Sequence, residues 1–121
     1  MQNKNSNPVV NKSVEFAVRV LAYCDTLQSM RKFVVANQLA KSGTSIGANI
    51  KEAQNAESLS DFIHKMKIAS KEAEETEYWL LLCHRSLNYP DTVELSELLH
   101  EIIKLLSKIL ITSINKKNNT K

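Results

Sequence analysis

Apolar residues recur along this chain in steps of three and four, and the steps divide it into four helical segments. The spacing predicts a first helix over about residues 11–27. There Val14, Ala17, Val18, Leu21 and Cys24 form one apolar stripe, and Phe16, Val20, Tyr23 and Leu27 form its neighbour. A second helix is predicted over about residues 30–55; its weakest stretch is Ser42 to Ser45, where the pattern also admits a break. For the third, Ser58 with Asp61 three residues on resembles a capping box, with Asp standing in for Glu or Gln. From there Leu59, Phe62, Met66, Ala69, Ala73, Thr76, Leu80, Cys83 and Leu87 alternate over four heptads, the seam of left-handed bundle packing. Asn88-Tyr89-Pro90 stops that helix, and Asp91 with Glu94 is placed to cap a fourth. In the fourth, Leu95, Leu98, Leu99, Ile102, Leu105, Leu106, Ile109 and Leu110 cover about half the circumference. Glu97, Glu101, Lys104 and Lys108 take the other side. Four long helices with short turns predict an all-α fold, an antiparallel up-down-up-down four-helix bundle over residues 9–115. Residues 1–8 and 116–121 read as flexible polar tails.

The second helix carries three distinct stripes. Gln38, Lys41, Ser45, Asn49 and Glu52 line up as a polar seam. Val35, Leu39, Ile46, Ile50 and Ala53 form an apolar face beside it. Ala36, Ala40, Gly43 and Gly47 form a row of very small residues. Each glycine inside a helix costs about 1 kcal/mol against alanine. Close approach of another backbone is the expected compensation, so the helix is expected to sit wedged between neighbours.

The third helix is apolar all round at Tyr78-Trp79-Leu80-Leu81-Leu82-Cys83. A bundle buries one face of each helix, so Tyr78, Trp79, Leu81 and Leu82 are candidates for an interface between copies of the chain.

Composition narrows the class further. With 2 Gly and 2 Pro in 121 residues, the chain lacks the punctuation that many short strands need. No run reaches the roughly 18 apolar residues of a membrane span, and the N-terminus has no apolar signal core. Cys24 and Cys83 each lie in an apolar helical pattern, so buried thiols and a reducing cytoplasm are expected. Residues 1–60 hold seven Lys/Arg against four Asp/Glu, whereas residues 61–121 hold nine of each. That excess is small for a nucleic-acid-binding surface.

No catalytic constellation emerges. Asp61/His64 and Glu97/His100 have the Glu-x-x-His-like spacing of di-iron bundles, but they fall on solvent faces, so no metal and no cofactor is expected. Glu72, Glu74, Glu75 and Glu77 form a cluster, of which Glu72 and Glu75 flank the heptad seam. Lys41, Ser45 and Asn49 are their expected partners in a structural polar network. Gly43-Thr44-Ser45-Ile46-Gly47 lacks the ending and the preceding strand of a phosphate loop. Lys65, Lys67, Lys71, Lys116 and Lys117 are possible phosphate contacts, with no aromatic platform evidently between them.

The run Gln38-Leu39-Ala40-Lys41-Ser42-Gly43-Thr44-Ser45-Ile46-Gly47-Ala48-Asn49-Ile50-Lys51-Glu52-Ala53 closely resembles the signature of bacterial 23S rRNA intervening-sequence proteins, also labelled S23 ribosomal proteins. Asp61-Phe62-Ile63 and Lys71-Glu72-Ala73-Glu74-Glu75-Thr76-Glu77-Tyr78-Trp79-Leu80 resemble the family's second block, and Lys12-Ser13-Val14-Glu15-Phe16-Ala17 its opening. The resemblance spans about residues 9–115. Lys41 departs from the pattern, since the family usually has Arg there; a bidentate carboxylate contact becomes a point-charge contact. The resemblance implies a four-helix bundle assembled as a ring, a homopentamer, with no catalytic residues. Some family members are encoded within 23S rRNA genes. More distantly, the chain resembles the accessory variability determinants of diversity-generating retroelements, pentamers that bind nucleic acid and a reverse transcriptase. The expected function is therefore a non-enzymatic homo-oligomer that binds structured RNA or an RNA–protein partner. The alternative is a structural or protein-interaction module with no nucleic-acid role.

Overall fold

The computed structural model describes residues 7–119, and every regular element among them is an α-helix. These are α1 (Pro8–Ser29), α2 (Phe33–Ala53), α3 (Leu59–Arg85) and α4 (Val93–Asn119). The α1 helix starts three residues before the predicted segment does. The Asn7 side chain accepts a hydrogen bond from the Val10 N–H at 3.4 Å, and Pro8 sits in the first turn, where its missing N–H costs nothing. Asn7 and Pro8, expected as tail, thus open the helix; residues 1–6 lie outside the described residues.

At its other end α1 closes with a Schellman pattern. The Lys32 N–H reaches the Leu27 carbonyl and the Arg31 N–H reaches the Gln28 carbonyl, both at 2.9 Å. Arg31 takes φ 64°, a left-handed conformation usually given to glycine. The α2 helix is unbroken through residues 42–45. Thr44 Oγ1 donates to the Ala40 carbonyl and Ser45 Oγ to the Lys41 carbonyl, each at 2.8 Å, so the hydroxyls bond along the helix instead of interrupting it.

Ser58 caps α3 by accepting the Asp61 N–H at 3.0 Å, and the Asp61 carboxylate accepts the Glu57 N–H at 3.3 Å. The heptad seam ends at Cys83. Ser86 is extended and Asn88 takes φ 63°, so the chain turns before Leu87 can pack, and Leu87 is 87% exposed. The α4 helix begins at Val93, after buried Thr92, whose carbonyl accepts the Ser96 N–H at 2.9 Å. Asp91 therefore lies one residue outside the position expected for the cap. The α4 helix continues to Asn119, so residues 116–119 are helix and not tail; residues 120–121 lie outside the described residues. Lys116 and Lys117 occupy its last turn, where they oppose the partial negative charge of the helix end.

Cross-helix pairs fix the directions. Lys12 meets Glu101 and Arg19 meets Glu94; Gly47 meets Ser13 and Gly43 meets Val20; Glu52 meets Lys65 and Ser42 meets Thr76. In each pair of helices the residue numbers rise on one side as they fall on the other. Consecutive helices are antiparallel, and α4 closes the circuit against α1. Phe16, Val20, Leu27, Leu39, Ile46, Ile50, Met66, Leu99, Ile102 and Leu106 fill the centre and are closed to water. Both turns at one end are tied together: Lys32 Nζ stands 4.5 Å over the Tyr89 ring, and the Tyr23 hydroxyl donates to the Pro90 carbonyl at 2.7 Å.

Only one of the two apolar stripes of α1 faces the core. Of the two apolar stripes on α1, Phe16, Val20 and Leu27 point inward together with Cys24, while Val14, Val18 and Leu21 stand out toward solvent. The helix packs chiefly against α2 and α4, so two adjacent apolar stripes cannot both reach the core.

Candidate functional site

The α2 helix lies between α1 and α3, and each of its stripes faces something different. Along the small-residue row, a Cβ added at Gly43 would lie 2.9 Å from Val20 Cγ1. One added at Gly47 would lie 3.2 Å from Ser13 Oγ and 3.4 Å from the Ser13 carbonyl oxygen. With Ala36 buried and Ala40 half-buried in the same row, α1 packs almost backbone to backbone against α2. Ser13, which sits in that contact, turns its hydroxyl to the Val10 carbonyl at 2.8 Å.

The polar seam is mostly on the outside. Gln38, Lys41 and Glu52 are exposed; Ser45 and Asn49 are half-buried. Ser45 and Asn49 bond within the helix, Asn49 Nδ2 donating to the Ser45 carbonyl at 2.9 Å. The expected partnership of Lys41, Ser45 and Asn49 with Glu72 and Glu75 is not formed. Ser42 and Thr76 stand between the two rows and close the α2–α3 contact with their own hydroxyls, 2.9 Å apart. Short seam side chains reach their own backbone sooner than they reach across that contact. The Glu75 carboxylate instead accepts Trp79 Nε1–H one turn along α3, at 3.3 Å, and Glu72 contributes its carbonyl to Thr76. The bridge from the seam to α3 is made by other residues: Lys65 Nζ lies 2.9 Å from Glu52 Oε1.

Lys65, a possible phosphate contact by sequence, is thus already held by a carboxylate, and the pair raises its pKa through the Glu52 hydrogen bond first and the charge second. Lys67 and Lys71 are exposed on α3, and Lys116 and Lys117 end α4. At about 100° per residue Lys65 falls on a different side of α3 from Lys67 and Lys71, so the α3 lysines do not form one row.

The apolar wrap of α3 divides between inside and outside. Leu80 and Cys83 are core; Trp79 and Leu82 are half-buried; Tyr78 (53%) and Leu81 are exposed. Tyr78 and Trp79 pack edge to face with ring centroids 5.1 Å apart, which holds both rings at the surface. Leu81 also borders a groove of about 360 Å³ between α3 and α4, floored by Leu80 and Leu99 and rimmed by His84 and His100. His100 Nε2 lies 3.4 Å from Glu77 Oε2 on that rim. The outward stripe of α1 is the feature that sequence reasoning left undecided: Val14, Val18 (61% exposed) and Leu21 follow one another at four and three residues on one face.

Cys24 and Cys83 are free, buried thiols whose pKa values are raised by desolvation, Cys24 to about 11. Among the described residues no cluster of three or more His, Cys, Asp or Glu is arranged to hold a metal ion. No helix among them is long and apolar enough to cross a membrane.

The geometry is that of a four-helix bundle whose sequence signature is spent on tight α1–α2 packing and on a mostly solvent-facing seam. A family model described as 23S rRNA-intervening sequence protein matches residues 5–111, and the chain belongs to that family. Its structure is similar to the crystal structure of a protein with unknown function from the S23 ribosomal protein family of Bacteroides thetaiotaomicron VPI-5482. The two share 47% identity with a TM-score of 0.80, over 84% of this chain and 97% of the other. No curated protein matches the chain. The more distant likeness to accessory variability determinants receives no support from these matches.

Proposed function

We propose that this protein is a non-enzymatic, cytoplasmic scaffold that assembles into a ring of identical copies and binds structured RNA or an RNA-bound protein. The observation that carries the reading is a pair of apolar stripes that reach the surface: exposed Val14, Val18 and Leu21 on α1, and exposed Tyr78 and Leu81 with half-buried Trp79 and Leu82 beside them on α3. The two helices are diagonal in the bundle, so the stripes lie on different surfaces. Two different patches that fit one another make a heterologous contact, and such contacts generate closed rings when the rotation between copies permits. Five copies is the number that the family resemblance implies. The RNA partner is inferred from the family's association with 23S rRNA intervening sequences.

Light scattering at micromolar concentration tests the assembly. The reading expects a mass several times the 13.7 kDa of one chain, and a monomer contradicts it. Fluorescence anisotropy with a labelled RNA stem-loop tests the partner. Binding should weaken linearly in log K against log salt, because phosphate contacts release counterions. An assembled protein that binds no RNA at low salt leaves the protein-interaction module as the function.

A further inference from the structure

We propose that the end of the bundle formed by the α1–α2 and α3–α4 turns docks on an anionic lipid surface, independently of the assembly and RNA readings above. Outside the two stripes, the exposed large apolar residues among those described are Met30, Phe33, Val34, Leu87, Val93 and Ile111. All but Ile111 lie at this end. Met30, Phe33 and Val34 belong to the first turn and its flanks, Leu87 and Val93 to the second. Lys32 over the Tyr89 ring, and the Tyr23 hydroxyl on the Pro90 carbonyl, join the two turns into one platform. The opposite end differs. Its connecting turn, Gln54 to Ser58, is polar, carries Glu57 and exposes no large apolar residue.

Charge selects the partner. Residues 28–35 and 84–93, which make up this end, hold Arg31, Lys32 and Arg85 against one carboxylate, Asp91. Asp91 stands at the side of the bundle, beside Tyr23 and Thr26. Of the carboxylates just below, Glu94 is held by Arg19, and Asp25 lies a turn before the end of α1. Arg31 and Arg85 are exposed and enter no ion pair among the described residues. Arg31 takes φ 64°, a conformation that favours glycine, so a cation is kept where the backbone gives no reason for one. A second copy of the same end would set like charges against each other, which opposes end-to-end stacking of this chain. The fitting partner is anionic.

Contour selects lipid over protein. Val34 is 73% exposed and Leu87 87%, so both side chains stand clear of the surface around them. A protein partner needs a matched pocket for each protruding tip, whereas the boundary of a lipid layer yields wherever the tips fall. Apolar side chains entering that boundary and cations meeting lipid phosphates beside them add their contributions. Arg31, Lys32 and Arg85 are placed for the second part, and half-buried Tyr89 supplies an amphipathic ring at the headgroup level. The attachment lies on the lipid surface and does not cross it, and no helix among the described residues is long and apolar enough to cross.

The test is co-sedimentation of the full-length protein, freed of nucleic acid by nuclease, with vesicles of phosphatidylcholine alone and of phosphatidylcholine with about 30% phosphatidylserine. Binding should appear on the anionic vesicles and weaken with added salt. Val34→Ser/Leu87→Ser should lose at least about tenfold in partitioning, because the tips no longer gain by leaving water. Arg31→Asn/Arg85→Gln should lose about as much; asparagine accepts the left-handed backbone at residue 31. Ile111→Ser, exposed but away from this end, should bind as wild type does. All these positions are exposed, so melting temperatures and light-scattering masses should match wild type. Wild-type protein that leaves the anionic vesicles unbound, or binds phosphatidylcholine equally well, overturns the proposal. So does unchanged binding in either double variant, or an equal loss in Ile111→Ser. A double variant with a smaller mass would make this end a contact between copies, and that also overturns it. None of these outcomes bears on the RNA reading.

Discussion

The hydroxyls of Ser42 and Thr76 lie 2.9 Å apart between α2 and α3, and both residues are closed to water. Thr76 also donates to the Glu72 carbonyl at 2.7 Å, which leaves Ser42 to supply the proton of the pair. Replacing Thr76 by Val keeps the shape and strands the Ser42 hydroxyl. That should cost about 1–3 kcal/mol. The double variant Ser42→Ala/Thr76→Val leaves no unpaired group, and urea denaturation should show it to be less destabilised than the sum of the two single variants. Additive losses would mean the hydroxyls do not act as a pair.

The α1–α2 contact makes a second prediction. Gly43→Ala improves helix propensity by about 1 kcal/mol, yet its Cβ meets the stiff, buried Val20 side chain at 2.9 Å. Overpacking of that kind typically costs 1–3 kcal/mol, so the melting temperature should fall. Gly47→Leu should be more disruptive, because the Ser13 backbone oxygen blocks the space. Lys51→Leu, on the exposed face, should change stability by about 0.5 kcal/mol or less. Equal melting temperatures for Gly47→Leu and Lys51→Leu would contradict close packing at this row.

Stability should fall in alkaline solution for a local reason. Burial raises the Cys24 thiol from 9.0 to about 11, and it raises Cys83 and Tyr23 as well. Between pH 9 and pH 11 the unfolded chain has lost the Cys24 proton while the folded chain retains it, so each rise in pH favours unfolding. Below that window the contribution is fully present. Urea midpoints measured from pH 8 to 11 should decline, and Cys24→Ala should show a shallower decline even if its neutral-pH stability is lower. An identical slope in the variant would place the effect elsewhere.

Helix number and type were legible in the sequence because each segment repeats its apolar residues at helical spacing over many turns. Leu39, Ile46 and Ile50 are buried as that pattern requires. Which of two adjacent stripes faces inward was not legible on α1. Val14 and Phe16 are equally apolar, and only the positions of α2 and α4 decide between them. Helix ends were displaced where a cap overrides hydrophobicity: Asn7 and Pro8 extend α1 ahead of its apolar residues. The polar seam was visible as a row, but its partners were not, because Ser45 and Asn49 can satisfy themselves within the helix.

The assembly account stands on two dissimilar apolar stripes meeting between copies. Val18→Glu spoils the α1 stripe and Tyr78→Glu spoils the α3 stripe, and both positions are exposed, so each chain should stay folded. Either variant alone should be smaller than the wild-type ring. Each retains the stripe that the other lacks, so native mass spectrometry of an equimolar mixture should show a one-to-one heterodimer of about 27 kDa, twice the 13.7 kDa chain, and nothing larger. A mixture that shows no heterodimer, or a single variant that keeps the full wild-type mass, would contradict the account.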